Sequence, residues 1–290
     1  MSERTLQRAP DSPDAGAVTI IGCGLIGTSI ACALQRCYWT VYIQDIDPGA
    51  QATALDMCGA QPWTGQPVDL VIIATPVAAV ADAAQAAHEW APDAVFTDVA
   101  SVKGVIADEM ATTAAGARYV GGHPLAGKAQ SGSAAADADL FRGRPWVLTP
   151  VADTDVEVMA MVSGLVADCG AVEVHMSADE HDQVVATTSH LVQVASSALA
   201  GRLLNLQPGR TRISGPALAD VTRVAASDAD LWLGILSANR EAVVGQLRGL
   251  VDDLVGLATA LEDANDEAVL EFLRRGQKGR HLLVGDMPSA

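Results

Sequence analysis

Short apolar runs alternate with longer amphipathic or alanine-rich stretches up to about residue 175. The runs are rich in β-branched residues and end at Gly, Asp or Thr-Pro, which is typical of strands buried in a parallel sheet. The pattern predicts strands at 17–22, 40–44, 70–74, 94–97, 119–121, 145–149 and 171–175, and helices at 26–36, 48–58, 77–90, 102–115 and 155–169. Such alternation predicts an α/β fold with a doubly wound parallel sheet of the Rossmann type.

After residue 176 the apolar positions recur every three or four residues, and no strand pattern remains. The pattern predicts helices at 177–204, 218–225, 229–247, 247–261 and 267–275, with a loosely held end at 276–290. Ser177 and Glu180 form a capping box at the start of the first of these helices. We therefore predict a disordered tail at 1–16, an α/β domain at 17–176 and an all-α domain at 177–290.

The composition excludes several classes of partner. The chain has 290 residues and a formal net charge of −17, and no basic segment offsets this charge to bind nucleic acid or an anionic membrane surface. Five cysteines, an odd number without a CxxC pair, disfavour a disulfide framework and a thiolate metal site. The N-terminus lacks the apolar core of a signal peptide and no stretch is long enough to span a membrane, so we expect a cytoplasmic protein.

The segment Gly22-Cys23-Gly24-Leu25-Ile26-Gly27 is a GxGxxG turn between the first predicted strand and the first helix. In such a turn the first glycine permits a tight bend, the second lets the backbone approach a pyrophosphate, and the third lets the helix pack on the strand. The helix N-terminus at Leu25, Ile26 and Gly27 then offers unpaired N–H groups to the phosphates. The alternative is a glycine-rich turn that binds no nucleotide.

Acidic and hydroxyl side chains stand at the ends of three predicted strands. Asp45 ends the second strand, where its carboxylate can accept a hydrogen bond from a ribose hydroxyl and repel a 2′-phosphate, so NAD is favoured over NADP. Asp47 is interpreted as a helix cap. Thr75-Pro76 and Asp98 lie at the edge of the sheet where ligands bind, although helix capping equally explains Thr75 and Asp98.

Three further strings carry residues suited to chemistry: Thr97-Asp98-Val99-Ala100-Ser101-Val102-Lys103, Gly121-Gly122-His123-Pro124-Leu125-Ala126-Gly127 and Asp220-Val221-Thr222-Arg223-Val224-Ala225-Ala226-Ser227-Asp228. With the glycine turn, in this order and spacing, they resemble the prephenate/arogenate dehydrogenase family of tyrosine biosynthesis. The resemblance extends from about residue 17 to about residue 260. It implies a Rossmann domain followed by an all-α dimerisation domain, and the NAD-dependent oxidative decarboxylation of a cyclohexadienyl substrate.

The resemblance also implies roles for three residues. His123, in the predicted loop after a strand, matches the family's catalytic histidine, and histidine titrates in the range that suits a base near the substrate hydroxyl. Ser101 matches the serine that hydrogen-bonds this histidine and the hydroxyl, with a helix N-cap as the alternative role. Arg223 matches the arginine that binds the ring carboxylate through a bidentate contact. Without the resemblance, His123 and Arg223 would be ordinary surface residues.

Two positions depart from the family pattern at the side-chain end of the substrate. Gln193 stands in place of the second histidine of an SHLPH string, and Ala219 in place of a basic residue four positions before the arginine. Both changes remove positive charge, which favours arogenate, with its ammonium group, over prephenate. A third alternative is 4-amino-4-deoxyprephenate, the substrate of relatives in antibiotic pathways. His190, in the middle of an apolar helix, is interpreted as structural.

Two other classes compete with this prediction: a hydroxyacid dehydrogenase of similar architecture and a non-catalytic NAD-binding homologue. Hydroxyacid dehydrogenases of this architecture resemble each other through a catalytic lysine in the helical half. In this chain the only lysine of that half is Lys278, near its end. A non-catalytic homologue would not need Ser101, His123 and Arg223, so the presence of all three counts against it. His181-Asp182 lacks companions for a metal site, so we expect no metal. The apolar surface of the helical half predicts a homodimer, and we expect no regulatory domain after it.

Overall fold

The structure is a computed structural model that describes residues 16–128, 130–207 and 209–286. Apart from Gly16, the tail predicted at 1–16 lies outside the described residues, as do residues 287–290. The chain divides into two compact units, of which the first ends at Asn239 and the second begins at Arg240. Among the described residues, no helix is both long and apolar enough to cross a membrane.

A single sheet of eight strands forms the centre of the first unit. The strands are β1 Ala17–Ile21, β2 Thr40–Gln44, β3 Gln61–Pro62, β4 Leu70–Ile73, β5 Val95–Asp98, β6 Tyr119–Pro124, β7 Pro145–Thr149 and β8 Val172–His175. Their order is β3-β2-β1-β4-β5-β6-β7-β8, and all neighbours are parallel except β6 and β7, which are antiparallel. The predicted Rossmann-type sheet is therefore confirmed, with β7 and β8 running opposite to the other six strands.

Helices cover the sheet and predominate in the described residues that follow it. They are α1 Leu25–Leu34, α2 Pro48–Cys58, α3 Val80–His88, α4 Gly104–Met110, α5 Val156–Asp168, α6 Ala178–Val185, α7 Leu191–Arg202, α8 Pro216–Thr222, α9 Ala229–Ala238, α10 Arg240–Glu262 and α11 Asp266–Asp286. The helix predicted at 102–115 is shorter than expected, because α4 begins only at Gly104 and a separate 3-10 turn covers Ala115–Arg118.

Strand β4 shows why the sheet is buried on both faces. All four of its residues are buried, and the side chains of Leu70 and Ile72 join one apolar cluster while those of Val71 and Ile73 join another. Successive side chains of a strand point to opposite faces, so the two clusters lie on opposite sides of the sheet. An unbroken apolar run is thus the sequence signature of a parallel strand covered by helices on each face.

The long helix predicted at 177–204 is interrupted once. The Ser177 side chain accepts a hydrogen bond from the Glu180 N–H at 3.1 Å, as expected for an N-cap, and α6 follows. A π-helical turn at Ala186–His190 then connects α6 to α7. Such turns are frequent at functional sites.

The boundaries of the last helices differ from the prediction. The helix predicted at 229–247 ends at Ala238, because Asn239 leaves the helical conformation and its side-chain amide donates to the Asp182 carbonyl at 2.8 Å. In the second unit, α10 and α11 pack against each other and Arg275 pairs with Asp253 at 2.9 Å. The end predicted to be loose is helical as far as Asp286.

Candidate active site

The glycine turn lies at the carboxyl edge of the sheet, between β1 and α1. Gly22 has a φ of +110°, and a Cβ there would lie 2.4 Å from the Ala74 carbonyl oxygen. A Cβ on Gly27 would lie 2.0 Å from the Gly22 oxygen, so only glycine allows α1 to approach this closely. A Cβ on Gly24 would meet no atom within 4 Å. The turn is therefore tightly packed at its first and third glycines and open at its second, as a pyrophosphate requires.

The N-terminus of α1 has no side-chain cap and no acidic residue in its first turn. Its N–H groups at Leu25, Ile26 and Gly27 are therefore available to an anion, which the helix dipole also favours. Asp45 lies beside this turn, where its carboxylate accepts hydrogen bonds from the N–H groups of Cys23 at 2.5 Å and Asp47 at 2.8 Å. These contacts hold the carboxylate at the end of β2.

Two further features lie near this turn. The Thr75 hydroxyl, at the end of β4, is buried without a hydrogen-bond partner among the described residues, and Pro76 after it is exposed. A cavity of about 370 Å³ opens next to Asp45, with Ile46, Trp63 and Trp90 among its walls. Thr75 is not a helix cap, whereas Asp47 caps α2 by accepting from the Gly49 N–H at 2.8 Å, as predicted.

His123 lies in a strand, which corrects its predicted place in a loop. It belongs to β6, where it pairs with Val147 of the antiparallel β7. A Cβ on Gly122 would lie 2.6 Å from the Asp98 carbonyl oxygen, so the paired glycines let β6 run close past the end of β5. Because β5 and β6 are parallel, His123 lies beyond the same carboxyl edge as the glycine turn.

A chain of hydrogen bonds begins at the ring of His123. Its Nδ1 lies 2.8 Å from Nε2 of His181, whose Nδ1 lies 2.8 Å from Oδ1 of Asp182. The His181 ring is fully buried, and the two histidine rings meet edge-on with centroids 5.0 Å apart. We call these three residues the His123–His181–Asp182 chain. No hydrogen bond between described residues involves Nε2 of His123.

The Asp182 carboxylate is anchored at the start of α4. It accepts hydrogen bonds from the backbone N–H groups of Lys103 and Gly104, each at 2.8 Å. Burial by itself raises the pKa of Asp182, but the bonds from His181, Gly104 and Lys103 outweigh it and lower the pKa below its usual value. Asp182 is therefore a carboxylate at neutral pH.

A buried ion pair supports the strand of His123. The Lys103 ammonium contacts the Asp98 carboxylate, with both side chains fully buried, and donates to the Gly122 carbonyl at 2.8 Å. The Tyr119 hydroxyl donates to the same carboxylate. Burial lowers the pKa of Lys103 while Asp98 raises it, and burial raises the pKa of Tyr119 well above its usual value. The buried Asp98 carboxylate is thus bound by Lys103 and Tyr119, and it is not available to a cofactor.

The pKa of His123 lies well below its usual value of 6.5. Burial is the largest cause, and the neighbouring His181, Lys103 and His190 lower the pKa further. Histidine is a base only when neutral, so this environment keeps His123 in the form that can accept a proton.

The other predicted site residues are placed as follows. The Ser101 hydroxyl makes no hydrogen bond to His123, and it does not cap α4, which begins three residues later. Gln193 is buried in α7, its Nε2 lies 3.4 Å from the Ser197 hydroxyl, and its Oε1 has no partner among the described residues. Arg223 is exposed in a 3-10 turn that packs against α7.

His190 is buried at the end of the π-helical turn, as a structural histidine would be. Its Nδ1 lies 3.2 Å from the Asn239 side-chain nitrogen, and its ring meets that of Trp232 edge-on at 5.9 Å between centroids. Burial lowers the pKa of His190 to about 4. His190 is therefore neutral at physiological pH.

The structure adds three residues that the sequence analysis left without a role: His181, Asp182 and Lys103. Nothing in the local sequence pattern connects the adjacent His181-Asp182 pair with His123. Lys103 belongs to the string 97–103, which by itself assigns it no role. A buried lysine is recognisable only after folding, since lysine is ordinarily exposed.

A Rossmann-type sheet with an open phosphate-binding turn and a neutral histidine at the same edge defines a dinucleotide-dependent dehydrogenase. Comparison with known proteins identifies the family. The profile of the prephenate dehydrogenase nucleotide-binding domain matches residues 30–175, and that of the prephenate dehydrogenase dimerization domain matches residues 177–275. The chain therefore belongs to the prephenate dehydrogenase family.

Individual relatives agree with this assignment. The chain is 34% identical over 278 residues to a probable prephenate dehydrogenase of Streptomyces niveus, covering 92% of this chain and 77% of that protein. It is 33% identical over 282 residues to the cyclohexadienyl dehydrogenase of Zymomonas mobilis, covering 93% and 96%. Among solved structures, the prephenate dehydrogenase of Aquifex aeolicus, in complex with hydroxyphenyl propionate and NAD+, has a TM-score of 0.85 at 29% identity, covering 92% and 98%.

Proposed function

We propose that this protein catalyses the NAD-dependent oxidative decarboxylation of a cyclohexadienyl substrate in tyrosine biosynthesis. The observation that carries the proposal is His123, which lies beyond the edge of the sheet that holds the phosphate-binding turn and has an unengaged Nε2. Membership of the prephenate dehydrogenase family supports it. The resemblance of three separate strings, around Ser101, His123 and Arg223, agrees with an active enzyme more than with a non-catalytic homologue.

The cofactor would be held at the glycine turn. The N-terminus of α1 would bind the pyrophosphate next to Gly24, and the Asp45 carboxylate would accept hydrogen bonds from the adenosine ribose. When bound, NAD+ supplies the acceptor for the hydride that leaves C4 of the substrate ring. The acidic Asp45 disfavours the 2′-phosphate of NADP. The related Aquifex enzyme has been crystallised with NAD+.

The residues of this chain would then bind the hydroxyl proton and the ring carboxylate of the substrate. His123 takes the proton of the C4 hydroxyl through Nε2, and Ser101 hydrogen-bonds the same hydroxyl. The ring carboxylate, which departs as CO₂ when the ring becomes aromatic, is bound by the Arg223 guanidinium. Arg223 is exposed and therefore accessible to a ligand.

We propose arogenate as the preferred substrate. Gln193 is a buried, uncharged side chain with an unsatisfied polar atom, and Ala219 is likewise uncharged. A neutral pocket accepts the ammonium group of an amino acid side chain better than a cationic pocket does, because like charges repel. Prephenate, whose pyruvyl group is an anion, would gain from a cation there.

We propose that the segment 177–290 is the substrate-binding and dimerisation domain. The match of the dimerization-domain profile to residues 177–275 supports this proposal. In the second unit, α10 and α11 expose apolar side chains, among them Val251, Leu254 and Leu273. Light scattering at micromolar concentration is expected to give a homodimer, and a monomer would contradict this. Five free cysteines agree with a cytoplasmic location.

The direct test is formation of NADH with three candidate substrates: arogenate, prephenate and 4-amino-4-deoxyprephenate. We expect turnover with arogenate at the highest kcat/KM. The variant His123→Asn should lose at least about 100-fold in kcat with little change in KM, as expected for loss of a general base. His175→Asn, at an exposed histidine of β8, is the matched control. Absence of turnover with all three substrates would refute the proposed activity.

A further inference from the structure

The His123–His181–Asp182 chain determines which nitrogen of His123 carries a proton. The Asp182 carboxylate can only accept, so Nδ1 of His181 must carry the hydrogen of that 2.8 Å bond. If this is the only hydrogen on the ring, Nε2 of His181 is unprotonated and accepts across the 2.8 Å contact with His123. In that arrangement His123 donates from Nδ1, which leaves the lone pair of its Nε2 free.

We propose that His181 and Asp182 are positioning residues that hold His123 in the tautomer whose Nε2 accepts the proton from the substrate hydroxyl. The inference rests on the proposed function and deepens it, since it explains how one nitrogen of the base is selected. An isolated neutral imidazole can carry its proton on either nitrogen, and the partner of the other nitrogen decides which.

The His123–His181–Asp182 chain is held in a fixed geometry. His181 is fully buried, and the carboxylate of Asp182 is fixed by the N–H groups of Lys103 and Gly104 at the start of α4. The Asp182 carbonyl accepts in turn from the Asn239 side chain at 2.8 Å. A carboxylate held by several donors cannot rotate without breaking them, so its hydrogen bond to His181 has a fixed direction.

The His123–His181–Asp182 chain also stabilises the imidazolium that forms when His123 accepts the proton. When the O–H bond of the substrate breaks and its proton binds Nε2, His123 becomes an imidazolium in which both nitrogens are donors. Nδ1–H continues to donate to His181, and the negative charge of Asp182 lies beyond that ring. No proton needs to move from His123 to His181, because His181 acts only as an acceptor.

The tautomer can be measured without substrate. We would label the six histidines of the 290-residue chain with ¹⁵N and record imidazole nitrogen spectra at neutral pH, assigning the His123 signals by their loss in His123→Asn. The expected signature is a protonated Nδ1 and an unprotonated Nε2 on His123. In His181→Phe, which removes the acceptor, His123 should shift toward the Nε2–H tautomer. A wild-type His123 with Nε2 protonated would overturn the proposal.

Steady-state kinetics then distinguish a positioning role of His181 from a purely structural role. His181→Phe should lower kcat by about 100-fold with KM within about threefold, because a misdirected base affects the chemical step more than binding. His181→Gln can present a carboxamide oxygen to His123 and should recover at least about tenfold of this loss. The matched control is His175→Phe, at an exposed histidine paired with Glu173, which should leave both kcat and the His123 tautomer unchanged.

The outcomes distinguish this proposal from the proposed function. If the wild type turns over a substrate but His181→Phe retains kcat within about threefold, His181 does not position the base and the proposal fails alone. If no candidate substrate is turned over, the proposed function fails whatever the tautomer is. If His181→Phe does not fold, the wild-type tautomer and the His181→Gln variant decide the question.

Discussion

The ammonium of Lys103 and the carboxylate of Asp98 form an ion pair with no exposure to solvent, next to the strand that carries His123. Two buried charges are expensive, and their contact is favourable only while both are present. The pair also connects the segment 98–103 with β6, since Lys103 donates to the Gly122 carbonyl and Asp98 accepts from the Tyr119 hydroxyl. The position of the strand that carries His123 therefore depends on this buried ion pair.

Removal of one partner should destabilise the protein strongly. Lys103→Met leaves a buried carboxylate without its cation and is expected to lower the free energy of unfolding by about 3–5 kcal/mol. The double variant Lys103→Met/Asp98→Asn removes both charges and should recover part of that loss. Urea unfolding followed by circular dichroism measures both effects. If the double variant is no more stable than the single one, the unpaired charge is not the cause.

The low pKa of His123 predicts activity on the acidic side of neutrality. Protonation inactivates the base, and burial together with His181, Lys103 and His190 moves that protonation well below pH 6.5. We expect kcat/KM to fall on the acid side only at a pH well below 6.5, since this profile reports the ionisations of the free enzyme. A half-loss of kcat/KM at pH 6.5 or above, attributable to His123, would contradict the environment described for this ring.

The glycine turn allows folding and cofactor binding to be tested separately. Gly24→Ala places a methyl group in open space, so the variant should keep its melting temperature but bind NADH at least about tenfold more weakly, because the methyl occupies the approach of the pyrophosphate. Gly27→Ala drives its methyl into the Gly22 carbonyl and should impair folding itself. Calorimetric titration with NADH and thermal melts measure the two properties. Undiminished NADH binding by Gly24→Ala would place the cofactor elsewhere.

His190 should make the folded state sensitive to acid. Its pKa is about 4 in the folded protein and near 6.5 when unfolded, so below pH 6.5 the unfolded chain binds a proton that the folded chain does not. Stability therefore falls as pH drops from 6.5 to 4, by about 1.4 kcal/mol per pH unit at most. The measurement compares wild type with His190→Gln by urea unfolding at pH 7 and 4.5.

The variant should lose less stability than wild type over this interval, by about 2 kcal/mol. The carboxylates that both proteins share cancel in the comparison, and the lowered pKa of Asp182 moves its own contribution below this range. Equal losses in the two proteins would show that His190 is not held neutral by the fold.

Much of the fold follows from local pattern. The bounds predicted for β2, α2 and β7 coincide with those observed, because β-branched runs, a Pro at the helix start and Gly59 at its end are local signals. Strand β3 was missed because two residues carry no periodicity. The extension of β6 through His123 was missed because its Gly-Gly sequence is typical of a loop, and pairing with β7 overrides that preference.

The sequence by itself determined the glycine turn, the acidic residue that ends β2 and the string that contains His123, because each of these depends on neighbours in the chain. Only the tertiary structure decided what surrounds His123. His181 lies 58 positions away in the chain, and its ring meets His123 because α6 packs against α4 and β7. The burial of Lys103 likewise depends on the assembled sheet. Hydrogen bonds and desolvation act through space, so the chemistry of this histidine is fixed by packing that no local pattern encodes.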